Sequence, residues 1–210
     1  MLIIGAKGFA KEVLQILHEN NELDNLAFYD DVNKNIGAHL YDKFPILKNK
    51  LEAEKYFREI DNRFTIGIGN PVMRTKMYED FSKIGGVFAS TISKNVVIGD
   101  YGNILEDGCN VMPNVVITND VIIRAGVIVN QLSSIGHDTI IGAFTEICPN
   151  VSISGNCKLG NEVFVGTGAI ILPNIKIGDR VTIGAGAVVT QNLPDNCVAV
   201  GVPAKIIKKN

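Results

Sequence analysis

The sequence predicts two folds in one chain: a small α/β domain over residues 1–85 and an all-β parallel β-helix over residues 86–210. Three observations support this prediction. An aliphatic residue recurs every six positions from Leu105 to Val189. Before residue 85, strand-like and helix-like segments alternate, as they do in parallel α/β sheets. The pair Gly85–Gly86 separates the two patterns.

The six-residue register is strict. All fifteen first positions hold Leu, Ile or Val, and the fifth positions are small or aliphatic and never charged. Neither a helix nor an ordinary strand has such a period, whereas a parallel β-helix does. Each repeat then forms one strand and one corner, three repeats close a coil, and fifteen repeats give five coils. The first positions are Leu105, Val111, Ile117, Ile123, Val129, Ile135, Ile141, Ile147, Ile153, Leu159, Val165, Ile171, Ile177, Ile183 and Val189.

The register has an irregular start and a recurring glycine. Ile92 and Ile98 continue it upstream, but one extra residue before Leu105 breaks the phase, which predicts a bulge or loop near residues 101–104. Glycine follows the aliphatic residue wherever a tight corner needs a residue without a side chain. These glycines are Gly136, Gly142, Gly160, Gly166, Gly178 and Gly184.

In the first domain, the elements follow the order strand, Gly-rich turn, helix. Leu2–Ile4 is the first strand, Leu26–Tyr29 the second and Phe64–Ile68 the third, and these predict a small parallel sheet that amounts to half of a Rossmann-like fold. Two helices pack on it, one after Gly8 and one from Pro71. Their predicted inward residues are Ala10, Val13, Leu14 and Leu17 in the first helix, and Met73, Met77, Phe81 and Ile84 in the second.

The turn Gly5-Ala6-Lys7-Gly8 follows the first strand, where ligands of parallel sheets bind. Its backbone N–H groups and the following helix N-terminus suit a phosphate. Asp30 lies at the distance along the chain where a dinucleotide fold places its ribose-binding acid. The glycine pattern of a dinucleotide-binding fold, G-x-G-x-x-G, is incomplete here, however, because the sequence has G-x-x-G. A nucleotide site and a plain structural turn therefore both remain open, and a full NAD site is not expected.

Length, charge and cysteine content exclude several function classes. The 210 residues carry a net charge of −2, which gives no reason to expect nucleic acid or an anionic membrane surface as a partner. No stretch is apolar enough to span a bilayer, and the start lacks the basic leader of a signal peptide. The four cysteines show no C-x-x-C spacing, so free thiols in a reducing cytoplasm are expected. They are Cys109, Cys148, Cys157 and Cys197.

Of the three histidines, His137 is the candidate for chemistry. His18 lies near the end of the first predicted helix and His39 in a polar loop. His137 is the one histidine of the predicted β-helix, at a corner where side chains point outward. The neighbouring Asp138 can orient or polarise its imidazole for an acid–base role.

Together, these residues resemble a known family. His137-Asp138, Ile141-Gly142 and the ending Val200–Lys205 look like the hexapeptide-repeat acyltransferases. The first domain resembles the sugar O-acyltransferases of the NeuD type, which include sialic acid O-acetyltransferase and bacterial N-acetyltransferases of nucleotide-linked amino sugars. The residues that carry this second resemblance are Ile3–Glu12, Tyr29–Asp31, Phe44–Leu47, Gly67–Asn70 and Arg74.

The resemblance implies a left-handed β-helix, a cytoplasmic homotrimer with active sites between subunits, acetyl-CoA as acyl donor, no metal, and a nucleotide-linked sugar as acceptor in bacterial glycan biosynthesis. Matched by position, His137 is the general base and Asp138 raises its basicity. The coenzyme positions are Thr167 and Ala185, with Glu146 near the acetyl group and a backbone N–H near Gly155 at the oxyanion. The acceptor positions are Gly5, Ala6, Lys7, Gly8, Asp30, Asp31, Asn70 and Asn130.

The sequence departs from the family in two places. Glu146 stands where many relatives have a second His, and in the first turn Lys7 and Ala10 stand where they often have a small residue and Gly. Acetylation of an amino group is the expected reaction. O-acetylation of sialic acid or another sugar hydroxyl is the alternative, and a catalytically inactive trimeric scaffold is the alternative from another class. A β-helix carbonic anhydrase is not expected, because that enzyme needs three His on one zinc and the predicted β-helix has only His137. A serine or maltose-type acetyltransferase is not expected either, because those enzymes lack an N-terminal domain of this kind.

Overall fold

In the computed structural model, which describes residues 1–33 and 35–209, the chain divides into two units, Met1–Thr91 and Ile92–Asn210. The first unit is a twisted sheet in the strand order β3-β4-β2-β1-β5-β6, with three helices. Its strands are β1 (Leu2–Ile4), β2 (Ala27–Tyr29), β3 (His39–Leu40), β4 (Phe44–Leu47), β5 (Arg63–Ile66) and β6 (Val87–Phe88), and its helices are α1 (Phe9–Glu19), α2 (Lys50–Glu59) and α3 (Pro71–Lys83).

The predicted parallel α/β sheet is confirmed. Strand β1 lies in its centre and pairs in parallel with β2 and β5, while β2 pairs with β4 and β5 with β6. Only β3 runs antiparallel, against β4. The sequence prediction lacked α2, the β3–β4 hairpin and β6. His39 therefore lies in a strand, not in the predicted polar loop, and its side chain is exposed.

Helix α1 buries the predicted face, but α3 does not. Ala10, Val13, Leu14 and Leu17 are all buried. In α3, the buried side chains are Pro71, Arg74 and Phe81, whereas Met73 is 48% exposed, so the prediction that Met73 points inward is wrong. The physical reason is the buried guanidinium of Arg74, which donates a hydrogen bond to the carbonyl of Gly69 and holds that helix face against the sheet.

The second unit consists of short parallel strands that stack as the coils of the predicted left-handed β-helix. Each of the predicted fifteen first positions is the last residue of a two-residue strand. The strands are β7 (Thr91–Ile92), β8 (Val97–Ile98), β9 (Ile104–Leu105), β10 (Asn110–Val111), β11 (Val116–Ile117), β12 (Ile122–Ile123), β13 (Ile128–Val129), β14 (Ser134–Ile135), β15 (Ile140–Ile141), β16 (Glu146–Ile147), β17 (Ser152–Ile153), β18 (Lys158–Leu159), β19 (Phe164–Val165), β20 (Ile170–Ile171), β21 (Lys176–Ile177), β22 (Thr182–Ile183) and β23 (Val188–Val189).

The strands form three faces of a triangular prism. The first face contains β10, β13, β16, β19 and β22, the second β8, β11, β14, β17, β20 and β23, and the third β9, β12, β15, β18 and β21. Each residue pairs with the residue one coil later, as Ile117 does with Ile135. The chain ends in an antiparallel hairpin of β24 (Cys197–Val200) and β25 (Lys205–Lys209), which continues the first face. No helix among the described residues is long and apolar enough to cross a bilayer.

The interior of the prism is filled by the first and fifth positions of the repeats. Both sets are buried throughout, apart from Leu105, which is half-buried at the start. Polar fifth positions are satisfied by the neighbouring coil: the hydroxyls of Ser133 and Thr145 donate to the carbonyls of Cys148 and Gly160 at 3.0 and 2.9 Å. The register therefore encodes the core directly.

The predicted break in phase is confirmed at the first coil. Seven residues, not six, separate the strand ends Ile98 and Leu105. The side chain of Asn103 occupies the break: its Nδ2 donates to the carbonyls of Gly99 and Thr118, both at 2.7 Å, and its Oδ1 accepts from the backbone of Val121 at 2.9 Å. One amide side chain thus replaces the backbone bonds that the extra residue displaces.

Candidate active site

His137 lies at the corner between β14 and β15. The chain turns there through Gly136 and through Asp138, which has a positive φ of 58°. A Cβ on Gly136 would lie 2.5 Å from the backbone nitrogen of Gly155 in the next coil, so close approach of two coils, and not a positive φ, requires glycine there. The backbone of the corner is fixed from both sides, because Asn156 donates to the carbonyl of His137 at 2.8 Å and Asp138 donates to that of Asn119 at 3.3 Å.

The side chains at this corner are exposed but paired. A hydrogen bond of 2.6 Å joins His137 Nδ1 to Asp138 Oδ2, and the two side chains are 64% and 54% exposed. Since a carboxylate only accepts hydrogen bonds, Nδ1 carries the proton in this pair. In the neutral form of this tautomer, the second ring nitrogen, Nε2, carries the lone pair that a general base needs.

Gly155 lies against the imidazole ring of His137. A Cβ at this position would be 2.6 Å from His137 Nε2 and 2.7 Å from Cε1. The ring therefore occupies the space that a side chain at position 155 would fill. The structure thus brings three of the predicted site residues together: His137, Asp138 and Gly155.

The predicted coenzyme residues lie elsewhere on the prism. Thr167 and Ala185 share the corner between the first and second faces, in consecutive coils, with Gly186 donating to the carbonyl of Thr167 at 2.8 Å. Both are exposed, and neither Gly168 nor Gly186 has an atom within 4 Å of where a Cβ would be, so this corner is open enough for a long thin ligand. Within one chain it is a different corner from that of His137.

Glu146 and Asn130 are also separated from His137. Glu146 lies on the first face, in register with Ile128 and Phe164. Asn130 is 5% exposed, and its Nδ2 donates to the carbonyl of Ile147 at 3.0 Å, so part of its hydrogen-bonding capacity is used inside the fold. One chain by itself therefore does not assemble the full set of predicted β-helix site residues.

In the first unit, the predicted turn lines a cavity of about 340 Å³, which we call the N-terminal cavity. Gly5, Ala6, Lys7, Gly8, Asp30 and Asp31 all line it. Asn70 is not among the lining residues and instead caps α3, where its Oδ1 accepts from the backbone of Met73 at 3.0 Å. The first turn of α1 reaches the cavity at Phe9, so the positive end of the helix dipole lies at its wall.

Gly5 makes the tight turn at the end of β1. Its φ is 105°, which favours glycine, and a Cβ there would be 3.0 Å from the carbonyl oxygen of Gly67. Its backbone nitrogen donates to the carbonyl of Tyr29 at 2.8 Å. The first turn is thus held close to the ends of β2 and β5, the edge where parallel sheets bind ligands.

A hydrogen-bonded chain of three side chains spans the N-terminal cavity. Asn33 Nδ2 donates to both carboxylate oxygens of Asp30, at 3.0 and 2.8 Å, and its backbone nitrogen donates to the same group at 2.8 Å. Lys7 Nζ donates to Asn33 Oδ1 at 2.6 Å. Asp30 is buried and its carboxylate is largely used in this way, whereas Asp31 is exposed.

Tyr29 also lines the N-terminal cavity, and its ring packs against Phe81. Its side chain is 3% exposed. Burial, and after it the nearby carboxylate of Asp31, raises the pKa of Tyr29 well above its ordinary value. The hydroxyl therefore stays protonated at any physiological pH.

The sequence analysis missed three kinds of lining residue: Asn33, Tyr29 and the pair Met73 and Met77. The spacing of Asp30 and Asn33 is that of an Asx-type turn and gave the only usable signal. The methionines were read as core because thioethers fit both cores and binding surfaces. Within residues 1–33 and 35–209, no cluster of three or more His, Cys, Asp or Glu side chains is placed to hold a metal ion.

Comparisons with known proteins agree with both units. The family model "PglD N-terminal domain" matches residues 1–81, and "Bacterial transferase hexapeptide (six repeats)" matches residues 156–191. GDP-perosamine N-acetyltransferase from Escherichia coli O157:H7 is 26% identical over 175 residues, which cover 80% of this chain and 76% of that protein. Serine acetyltransferase from Buchnera aphidicola subsp. Schizaphis graminum is 30% identical over 198 residues, which cover 89% and 67%.

Two solved structures match almost the whole chain. A His-to-Asn variant of perosamine N-acetyltransferase from Caulobacter crescentus, in complex with CoA and GDP-perosamine, has a TM-score of 0.91 at 28% identity and covers 99% of this chain and 96% of that one. The acetyltransferase domain of PglB from Neisseria gonorrhoeae FA1090 has a TM-score of 0.90 at 29% identity, with 98% of both chains covered.

Proposed function

Because this chain belongs to the bacterial hexapeptide-repeat transferases, we propose that it transfers the acetyl group of acetyl-CoA to an amino group of a nucleotide-linked amino sugar. One observation carries the proposal: the exposed imidazole of His137 is hydrogen-bonded at Nδ1 to Asp138 and lies against Gly155. The similarity to perosamine and PglB-type acetyltransferases over 98% or more of the chain supports the same class of acceptor.

In the proposed reaction, His137 Nε2 removes a proton from the acceptor nitrogen as that nitrogen forms its bond to the acetyl carbon. Acetyl-CoA supplies the acetyl group as a thioester. The bond between the acetyl carbon and sulfur breaks, and the proton held on His137 Nε2 passes to the leaving thiolate, so that CoA departs as the thiol. Asp138 stabilises the imidazolium through the 2.6 Å bond to Nδ1. General-base catalysis of this kind contributes about 10²–10⁴-fold. No Ser or Cys adjoins His137 in sequence, so direct transfer is favoured over an acyl-enzyme.

Gly155 has two proposed roles beside the base. Its missing side chain leaves room for the ring, and its backbone N–H is the proposed donor to the developing oxyanion. Thr167 and Ala185 are proposed to contact the coenzyme, because their corner is exposed and open. Glu146 and Asn130 are proposed to lie near the acetyl group and the acceptor, where Glu146 as an anion suits an amine better than a carbonyl oxygen.

Assembly of the site needs a second copy of the chain in this proposal. Thr167, Ala185 and Glu146 lie on other corners and faces of the prism than His137, and one chain cannot bring them to its own base. A homotrimer with active sites between subunits would place the open corner of one copy beside the base of the next. This arrangement is testable by mixing subunits that carry His137→Ala with subunits altered at Thr167.

The N-terminal cavity is the proposed site of the nucleotide. The backbone of Gly5–Gly8, the N-terminus of α1 and Lys7 offer positive charge to a diphosphate, and the exposed carboxylate of Asp31 offers a hydrogen-bond acceptor to the nucleoside. The similarity to a perosamine N-acetyltransferase in complex with CoA and GDP-perosamine supports an acceptor that carries a nucleotide.

A second candidate is O-acetylation, including that of serine, because a serine acetyltransferase is 30% identical to the chain. The Gly5–Gly8 turn and its cavity argue against a free amino acid as acceptor. A sugar hydroxyl stays possible in chemical terms, since a base that accepts a proton from an amine also accepts one from a hydroxyl.

The experiment measures CoA thiol release from acetyl-CoA with GDP- and UDP-linked amino sugars, free sialic acid and L-serine. We expect release with one nucleotide-linked amino sugar and its loss in His137→Ala. Release only with sialic acid or serine would replace the proposed acceptor. If CoA binds and no acceptor gives release, the result favours an acceptor outside this panel or an inactive scaffold, and Glu146 is the next residue to change.

A further inference from the structure

A groove of about 320 Å³ lies between α1 and the β3–β4 hairpin, and we call it the hairpin groove. Its floor is apolar, with Leu14 and Phe44 9% and 8% exposed. Its rim carries Lys11, His18 and Lys43. Residues Gly5–Gly8, which line the N-terminal cavity, are not part of it.

The charged side chains that line the hairpin groove are all basic. Over residues 1–33 and 35–209, neither Lys11 nor Lys43 forms a salt bridge. Instead, Lys11 Nζ lies 5.6 Å from the centre of the Tyr41 ring, and Lys43 Nζ lies 5.2 Å from that of Phe44. Two ammonium groups are thus held over aromatic rings at the rim without an anion of the protein.

Tyr41 has a backbone conformation that its side chain does not favour. Tyr41 and Asp42 both have a φ of 53°, and Lys43 donates to the carbonyl of Leu40 at 3.2 Å, which closes a tight hairpin turn. Asn and Gly are the residues that suit such turns. The Tyr41 side chain is 63% exposed, so core packing does not explain the choice, and its ring forms the wall of the groove beside Lys11.

We propose that the hairpin groove binds a small anionic molecule, with a carboxylate or phosphate between Lys11 and Lys43 and an apolar body on Leu14 and Phe44. Charge complementarity selects the anionic group, because the rim is basic and lacks an internal anion. The apolar floor and the Tyr41 wall select the body. Pockets of this size and composition bind small molecules in other proteins. The groove is a second ligand site, separate from the proposed transferase reaction.

The test titrates the full chain with phenyl phosphate, benzoate, benzyl alcohol and inorganic phosphate, followed by NMR and calorimetry. We expect phenyl phosphate or benzoate to shift the resonances of residues 11–18 and 40–44. The one that binds more tightly identifies the anionic group. Benzyl alcohol and inorganic phosphate, which each lack one half of the ligand, should bind at least about tenfold more weakly. Equal binding of benzyl alcohol, or no binding of either aromatic anion, would overturn the proposal.

Two variants separate a ligand site from a structural feature. Lys11→Gln/Lys43→Gln should weaken binding at least about tenfold, whereas Lys55→Gln on the exposed face of α2 should not. Tyr41→Asn should stabilise the hairpin, since Asn tolerates the left-handed region, and should weaken binding. If Tyr41→Asn binds the aromatic anion as well as the unaltered chain does, Tyr41 has no ligand role and the proposal is wrong.

Discussion

The His137 corner and the N-terminal cavity hold their polar groups in opposite ways. At the corner the backbone is fixed by the coils on either side, while His137 and Asp138 are more than half exposed and contact little besides Gly155. In the cavity the side chains themselves form the structure, since Lys7, Asn33 and Asp30 are joined in one chain of hydrogen bonds. In this chain, the periodic fold positions the proposed base through the backbone of the coils, whereas the irregular loop holds its polar side chains through a network.

The largest expected effect is the removal of the base. His137→Ala should lower kcat by about 10²–10⁴-fold and leave CoA binding and thermal stability nearly unchanged, because the exposed ring adds little to packing. Steady-state kinetics and calorimetry measure these quantities. Asp138→Asn keeps the hydrogen bond but loses the charge. Its kcat should lie between that of the unaltered chain and that of His137→Ala. A His137→Ala protein with near-normal kcat would remove the corner from the mechanism.

The two units can be compared during unfolding, because all four cysteines lie in the β-helix. All four are buried, and burial raises the pKa of the Cys109 thiol to about 12. Thiol labelling at pH 8 should therefore be at least about a hundredfold slower in the native protein than in urea. Labelling that begins before the tyrosine signal of the first unit changes would show that the β-helix opens first.

The raised pKa of the Cys109 thiol also determines how the stability of the β-helix changes with pH. Cys109 stays protonated in the folded state while the unfolded thiol ionises near its ordinary value of 9.0. The unfolded state then binds fewer protons, so the stability of the β-helix should fall as pH rises from about 9 towards 12. Urea midpoints at pH 7.5 and 10, measured by labelling, test this. Cys109→Ala should reduce the difference.

Two glycines of neighbouring coils give a matched pair. In Gly136→Ala, the new Cβ would lie 2.5 Å from backbone that cannot move, so we expect a loss of about 1–3 kcal/mol of stability. In Gly155→Ala, the three atoms nearest to the new Cβ all belong to the exposed His137 ring, which can move, so stability should hold while kcat falls by up to about a hundredfold. If Gly155→Ala lost as much stability as Gly136→Ala, the His137 ring would be held in place by contacts beyond the one with Gly155.

The sequence predicted the β-helix to the residue because each position repeats the same environment. All thirty interior positions follow from one rule of six, and all but Leu105 are buried; the exception at Asn103 is visible in the sequence as a break in phase. In the first unit, the strands and the Gly5–Gly8 turn were predictable from local patterns. The inward face of α3 was not, because nothing in the spacing shows that Arg74 is buried while Met73 lines a cavity.

The smallest expected effect tests the network itself. Asn33→Ala removes the link between Lys7 and Asp30. The Lys7 ammonium loses the amide oxygen to which it donates, and the Asp30 carboxylate loses both bonds from Asn33 Nδ2 while it keeps the backbone donors of residues 32 and 33. We expect KM for the nucleotide-linked sugar to rise by about tenfold, since Lys7 must be ordered again on binding, and the free energy of unfolding to fall by about 1–3 kcal/mol.

The control is Asn35→Ala, which alters an exposed amide two residues along the same loop. It should leave both KM and stability unchanged. The kcat should also stay within about twofold in Asn33→Ala, because the base lies on the β-helix and its geometry does not depend on this network. A fall in kcat with unchanged KM would contradict the role given to Asn33 and would make the loop part of the chemical step, in which case the contrast between a lightly held base and a networked cavity would fail.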